Sequence, residues 1–253
     1  MTAVGPGLQW LDRLSDAGDR AARTGDAAID WGLRPAPPRW MPARSYITAI
    51  SQLYYGEQAT VRMCERLLRD IADASAARFI ATQIADEKRH IGYYERYLGR
   101  LGAIGDIEEG VAMAYDGALG WSGSYHGAIV AFHVVLEGEG LRIQRLFGDW
   151  FPCPLFRQVN GLIARDEGRH VAFGRRYLKQ SLASLPFEER LAIFRWIRAL
   201  WFDCADAIRA EMPATVSLLV GRGWAEDRWR RQCRALRDIG LIGQDDAETF
   251  RHV

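Results

Sequence analysis

At 253 residues the chain is long enough to bury one sizeable core, and a single domain spanning 1–253 is the expected organisation. Hydrophobic residues make up 49% and charged residues 26%, an ordinary globular balance. With 33 basic against 32 acidic residues the formal net charge is +1, which gives no electrostatic reason to expect nucleic acid or a membrane as partner.

The N-terminal arm, 1–45, reads as a short amphipathic helix around Leu8–Leu14 followed by an irregular stretch. It carries no basic region leading into an apolar one, so no secretory signal is expected. Pro35, Pro37, Pro38 and Pro42, with Trp31 and Trp40 among them, suit an extended segment that packs aromatics onto a core. From Tyr46 the texture changes to long helical periodicity, which predicts helices at about 46–72, 76–100, 121–149 and 154–183. Asp73-Ala74-Ser75 makes a turn short enough to force antiparallel neighbours. Gly99 to Gly120 reads as a longer, Gly-rich and acidic connection, and Pro152 and Pro154 mark the third join. Ser184-Leu185-Pro186 opens a fifth helix; additional helices are expected over 187–211 and 224–238, with loose last residues. Strand signals are nearly absent, and no apolar run is long enough to span a bilayer. The expected class is all-α: a four-helix core at 46–183 and further helices over 184–253.

The four cysteines, Cys64, Cys153, Cys204 and Cys233, lie far apart without a CxxC pair. That argues against a zinc ribbon or an iron–sulfur cluster, and reduced core thiols favour the cytoplasm.

Two pentapeptides carry the chemistry: Asp86-Glu87-Lys88-Arg89-His90 and Asp166-Glu167-Gly168-Arg169-His170. A Glu and a His three residues apart share one helical face, so both can reach one metal. Thirty residues before each of these Glu stands another, Glu57 and Glu137, on the preceding helix. One Glu-x-x-His on a helix is usually a solvated face. Here the same unit occurs twice and uses two of only five histidines. Four carboxylates and two imidazoles brought to one point make the ligand set of a di-iron or di-manganese carboxylate centre in a four-helix bundle. Four carboxylates neutralise two divalent cations, whereas burying them without metal would be prohibitively costly. One imidazole per metal suits iron or manganese rather than magnesium or calcium.

This paired pattern resembles the ferritin-like di-iron carboxylate superfamily over roughly residues 46–183. The Asp before each Glu and the Arg before each His are similar to its oxygenase and oxidase branch. That branch includes bacterial multicomponent monooxygenase hydroxylases, ribonucleotide reductase small-subunit-like oxidases and arylamine N-oxygenases. The resemblance implies that Asp86 hydrogen-bonds His170 and Asp166 hydrogen-bonds His90, with Arg89 and Arg169 balancing the aspartates. It places Tyr94, four residues after His90, where radical-forming oxidases carry a redox-active tyrosine; a packing role is the alternative. The extra His of the N-oxygenases is absent, since Ile163 stands there. His126, His133 and Glu137 are spaced seven and four apart and would line one stripe. That spacing makes His133 a candidate seventh ligand or proton donor, or simply a core histidine. Tyr54 is a weaker candidate near Glu57. Gly138 and Gly140 flank Glu139 inside a helix, where each costs about 1 kcal/mol relative to Ala, so a π-bulge or a cavity is expected to compensate. Glu139 rivals Glu137 as the ligand; the thirty-residue spacing favours Glu137.

The implied function is an oxygen-activating di-iron oxygenase or oxidase that hydroxylates or N-oxygenates a small organic substrate. Two iron ions (Mn/Fe or Mn/Mn as variants) and molecular oxygen are its expected cofactor and co-substrate. Electrons would come from a ferredoxin or reductase, because no flavin or nicotinamide motif is present; a homodimer is an allowed assembly. The alternatives are a rubrerythrin- or ferritin-like peroxidase or ferroxidase, a radical-generating subunit, and a scaffold that has lost its metal.

Overall fold

The computed structural model describes residues 9–212 and 223–243. Leu8 of the first predicted helix and the tail beyond 243 lie outside the described residues. Among the described residues every regular element is helical, in keeping with the all-α expectation. No helix among them is long and apolar enough to cross a membrane. The chain divides into two compact units, Met1–Ile107 with Glu137–Phe173 and Glu108–Leu136 with Gly174–Val253.

The first unit holds α1 (Gln9–Thr24), α2 (Ala43–Asp70), α3 (Ala74–Leu101), α6 (Glu137–Trp150) and the first two-thirds of α7 (Pro154–Ser181). Helix α2 starts after Pro42, and α3 is capped by the Asp73 carboxylate, which accepts from the Ala76 N–H at 2.7 Å. Gly102 ends α3 in the left-handed conformation (φ 101°), its N–H returning to Leu98 O. The three-residue join between α2 and α3 makes them antiparallel. Their apolar faces meet those of α6 and α7 in a core that includes Tyr46, Ile50, Tyr94, Phe156 and Ile163. The proline-rich arm lays aromatics on this core. Trp31 packs against Tyr93 at 6.3 Å beneath the Arg96 guanidinium, and Trp40 reaches Phe151 at 6.3 Å.

The second unit holds α4 (Glu109–Leu119), α5 (Tyr125–Ile129), a π-helical segment (Val130–Leu136), α8 (Phe187–Glu211) and α9 (Trp224–Asp238). The end of α7, from Gly174, also belongs to it. The Glu211 carboxylate accepts the N–H groups of Glu109 and Gly110 at 2.7 and 3.2 Å, capping α4. On α8, Phe194 and Trp201 pack against Trp229 of α9 at 5.8 and 6.0 Å.

Helix α4 occupies the stretch whose glycines read as a connection. Those glycines serve packing: a Cβ on Gly110 would sit 2.6 Å from the Ile208 backbone nitrogen, and one on Gly117 would collide with Leu200. Gly110→Ala is therefore expected to lower unfolding free energy by about 1–3 kcal/mol, read as a fall in the urea midpoint. Gly92→Ala, where a Cβ meets nothing within 4 Å, should be neutral or stabilising.

Candidate metal centre

Glu57 comes from α2, Glu87 and His90 from α3, Glu137 from α6, and Glu167 and His170 from α7. All six are buried in the first unit. They form two overlapping groups able to hold a metal ion: Glu57, Glu87, His90 and Glu167, and Glu87, Glu137, Glu167 and His170. Within each group the ligand atoms lie within 4.8 Å of one another. Glu87 and Glu167 belong to both, as bridging carboxylates would, while Glu57 and Glu137 each belong to one.

Each imidazole turns Nδ1 inward and Nε2 outward. His90 Nδ1 lies 3.1 Å from Glu87, 3.3 Å from Glu57 and 3.4 Å from Glu167. His170 Nδ1 lies 3.1 Å from Glu87 and 3.5 Å from Glu167. On the outer side, His90 Nε2 faces Asp166 Oδ2 at 3.2 Å and His170 Nε2 faces Asp86 Oδ2 at 3.3 Å. An Nε2–H donated to a carboxylate leaves the Nδ1 lone pair directed into the cluster, the tautomer a metal needs.

The two aspartates and two arginines close a ring. Arg89 donates to Asp86 at 2.6 Å and Asp166 at 2.7 Å; Arg169 donates to Asp166 at 2.6 Å and Asp86 at 2.9 Å. Helix α1 lies over it. A Cβ on Gly18 would come within 2.5 Å of Thr82 and 3.5 Å of Asp86, so glycine permits the approach. Arg78 anchors that helix through Asp16 at 2.6 Å and Asp19 at 3.4 Å.

The electrostatics divide accordingly. Burial, reinforced by Glu167 and Glu87, pushes the Glu57 and Glu137 carboxyls well above their usual range. Burial also opposes ionisation of Glu87, but the His170 and His90 imidazoles prevail and hold it well below. For Asp86 and Asp166, desolvation is outweighed by the imidazole and guanidinium partners, and both are held low. His90 and His170 would lose their protons to burial, yet the surrounding carboxylates raise both well above 6.5. Glu137 Oε2 and Glu167 Oε1 are buried without a hydrogen-bond partner. An oxygen and nitrogen donor set with orphaned atoms turned inward fits a pair of divalent cations.

Glu139 lies apart from this cluster, paired with Arg142 at 3.0 Å. The helical distortion sits just upstream of Gly138, in the π-helical segment that ends at Leu136. Tyr94 is fully buried on α3, its hydroxyl facing Gln144 and pushed up by burial. Tyr54 donates to Glu95 at 3.1 Å. His133 belongs to the second unit, buried on the π segment against Gly174, and His126 stacks on Tyr125 at 4.2 Å. The seven-and-four spacing of His126, His133 and Glu137 assumes 3.6 residues per turn, which the π segment interrupts.

Two buried neighbours escaped the motif reading. Gln83 Nε2 donates to Glu87 at 3.0 Å and to Glu137 at 2.8 Å, tying two carboxylates of different helices together. The Cys64 thiol is raised by burial, with Glu87, Glu137 and Glu167 adding to the effect. Each sits a helical repeat from a Glu, Gln83 four residues before Glu87 and Cys64 seven after Glu57, and that offset was the available signal.

Compared by sequence, the chain matches no protein-family model and no curated protein. Compared by structure, it is similar to an R2-like ligand-binding oxidase with aerobically reconstituted Mn/Fe cofactor, at TM-score 0.61 and 17% identity. That match covers 96% of this chain and 87% of the other. A variant of such an oxidase with anaerobically reconstituted Mn/Fe cofactor gives TM-score 0.68 at 16% identity, over 91% and 93% of the two chains. The chain has the fold of these oxidases. The ferritin-like resemblance drawn from the paired motifs holds at the level of the fold.

Asp166→Asn removes the carboxylate shared by Arg89, Arg169 and His90. It should cost about 3–5 kcal/mol in a denaturant titration, as expected for breaking a buried ion network. Metal affinity should fall about 10–100-fold in a competitive chelator titration. In the metal-free chain stability should depend on pH. The charged imidazoles contribute stability that is fully present below 6.5 and lost as pH rises through their raised values. Metal must displace these protons, so affinity should climb with pH, and adding metal to weakly buffered protein should acidify an indicator dye.

Proposed function

We propose that this chain is a dimetal carboxylate oxidase that uses molecular oxygen to hydroxylate or N-oxygenate a small organic substrate. The observation that carries this reading is the pair of overlapping four-residue groups sharing Glu87 and Glu167. The likeness in fold to oxidases that hold a Mn/Fe cofactor supports it. Glu57, Glu87, His90, Glu137, Glu167 and His170 would hold the metals, as Fe/Fe or Mn/Fe. When bound, such a pair supplies oxygen activation by electron transfer from reduced iron.

The chain's own residues supply the rest. Asp166 and Asp86 fix the imidazole tautomers, and the Arg89–Arg169 ring keeps those aspartates charged and in place. Gln83 holds one oxygen of Glu137 and one of Glu87, leaving Glu137 Oε2 directed inward. Burial of all six ligands keeps bulk water from the oxidising site. Electrons would arrive from a separate ferredoxin or reductase. Free cysteines, three of the four buried, suit the reducing cytoplasm.

The ferrous protein should bind close to two metal ions per chain, and Glu87→Ala with Glu167→Ala should abolish that stoichiometry by elemental analysis. Oxygen uptake should depend on a supplied substrate pool. Uptake that instead scales with added ferrous iron and leaves a ferric mineral would identify a ferroxidase. Undiminished metal in the double variant would end the dimetal reading.

A further inference from the structure

Two helical turns from the carboxylate cluster, at the end of the first unit where α6 joins α7, lies a second buried polar layer. Gln144 is seven residues after Glu137 on the same face of α6, and Asn160 is seven before Glu167 on the same face of α7. Seven residues of α-helix rise about 10 Å, so both stand at a similar distance from the cluster. Both are only 3% exposed. Asn160 Nδ2 donates to the Gln144 carbonyl at 2.7 Å, which fixes the Asn160 amide and ties the two residues together. What remains at each is a carbonyl oxygen with no partner, Gln144 Oε1 and Asn160 Oδ1. Leaving such a group buried and unpaired is costly, so two of them on residues tied to each other point to a ligand.

Between this layer and the cluster the walls are small or apolar. Gly140 shares the face of Glu137 and Gln144, and a Cβ there would meet nothing within 4 Å. Leu141 and Ile163 flank the same interval on α6 and α7, and Tyr94 of α3 faces Gln144 from one turn beyond His90. Gly140 is only half-buried, which opens the interval toward the surface of α6. Of the cations in this interval, Arg142 of α6 is paired with Glu139 at 3.0 Å and Arg165 of α7 is exposed, which leaves the interval poor in counter-charge for a carboxylate or phosphate head.

We infer that Gln144 and Asn160 bind the hydrogen-bond-donating end, an N–H or O–H, of a small uncharged substrate. Its body fills the space beside Gly140, and its far end reaches the metal cluster. The inference deepens the oxidase reading and rests on it for the fate of that far end. It narrows the substrate class to compact neutral molecules that carry a donor group at the end away from the metal cluster.

Matched probes test this on the iron-loaded chain kept anaerobic, so that binding is read without turnover. Indole and benzothiophene share a shape and differ in one N–H; pyrrole and thiophene form a smaller pair. The N–H member should bind about five- to tenfold more tightly by calorimetry. Gln144→Met and Asn160→Leu should bring each pair toward equal affinity. Gly140→Leu should weaken both members alike with metal content unchanged. Should Asn160→Leu fail to fold, Gln144→Met still carries the test, because it keeps the main-chain carbonyl that Asn160 uses. Equal affinities in the unaltered chain would overturn the proposal. So would a preference retained in both variants, or no probe binding at all, the carbonyls then being filled by water only. Oxygen uptake, measured once air is admitted to the same samples, separates the two readings. Uptake without the N–H preference sinks this site alone; the preference without uptake sinks the oxidase reading and leaves a binding site.

Discussion

Four carboxylates buried at one point set the terms for the rest of the first unit. Unneutralised, Glu57, Glu87, Glu137 and Glu167 would repel one another in a medium that screens poorly. The upward push on Glu57 and Glu137 and the downward pull on Glu87 are two faces of that conflict. Without metal, the positive charge that faces these carboxylates is the proton pair on His90 and His170. Two divalent cations would replace it with four positive charges, which matches the four carboxylates. The cluster is thus built for an occupant of defined charge.

That interior needs an outer layer able to hold its imidazoles still. The Asp86–Arg89–Asp166–Arg169 ring does so with charges that balance within the ring, so it adds no net burden to the centre. Its members cross between α3 and α7, which makes one network responsible both for imidazole orientation and for locking two helices together. Helix α1 completes the arrangement, with Gly18 close against Asp86 and Gly25 against Tyr93 and Arg89. A bulkier N-terminal helix would stand off from the ring and admit water to its charges.

What could be read from the sequence follows from which signals are local. Glu87 with His90, and Glu167 with His170, are visible because three residues on a helix define a face without knowledge of the fold. The long helices were legible from periodicity, and their observed limits, 43–70, 74–101 and 154–181, differ from expectation by a few residues. Helix α4 was not legible. Gly110 and Gly117 look like loop residues until Ile208 and Leu200, some ninety positions away, are seen packing against them. Likewise Gln83, Gln144 and Asn160 each share a helical face with a cluster Glu, but nothing local says that they are buried, because burial depends on partners from other helices. The π segment illustrates a third limit: Gly138 and Gly140 signalled a disturbed helix, but the disturbance settled into the apolar residues upstream.

The duplication itself separates the two tasks of the site. Shifting the numbering by eighty superposes Glu57 on Glu137, Glu87 on Glu167, His90 on His170, and Asp86 with Arg89 on Asp166 with Arg169. The six residues that would hold metal, and the aspartates and arginines that orient the imidazoles, obey the repeat. The same shift sets Gly140 against Thr60, Gln144 against Cys64, Asn160 against Ile80, and Tyr94 against Gly174. Gln83 likewise falls against Ile163. A dimetal centre is nearly symmetric and tolerates a symmetric cage, whereas a substrate has a single orientation and must approach from one side. Breaks in the repeat should therefore mark the side of approach. Four of them, at positions 94, 140, 144 and 160, fall at the end of the first unit that carries the orphaned carbonyls and the open face of Gly140. The fifth, Gln83, pulls on Glu137, the terminal carboxylate of the same helix as that face. The repeat marks the residues that would hold metal, and its breaks mark the side from which a substrate would approach.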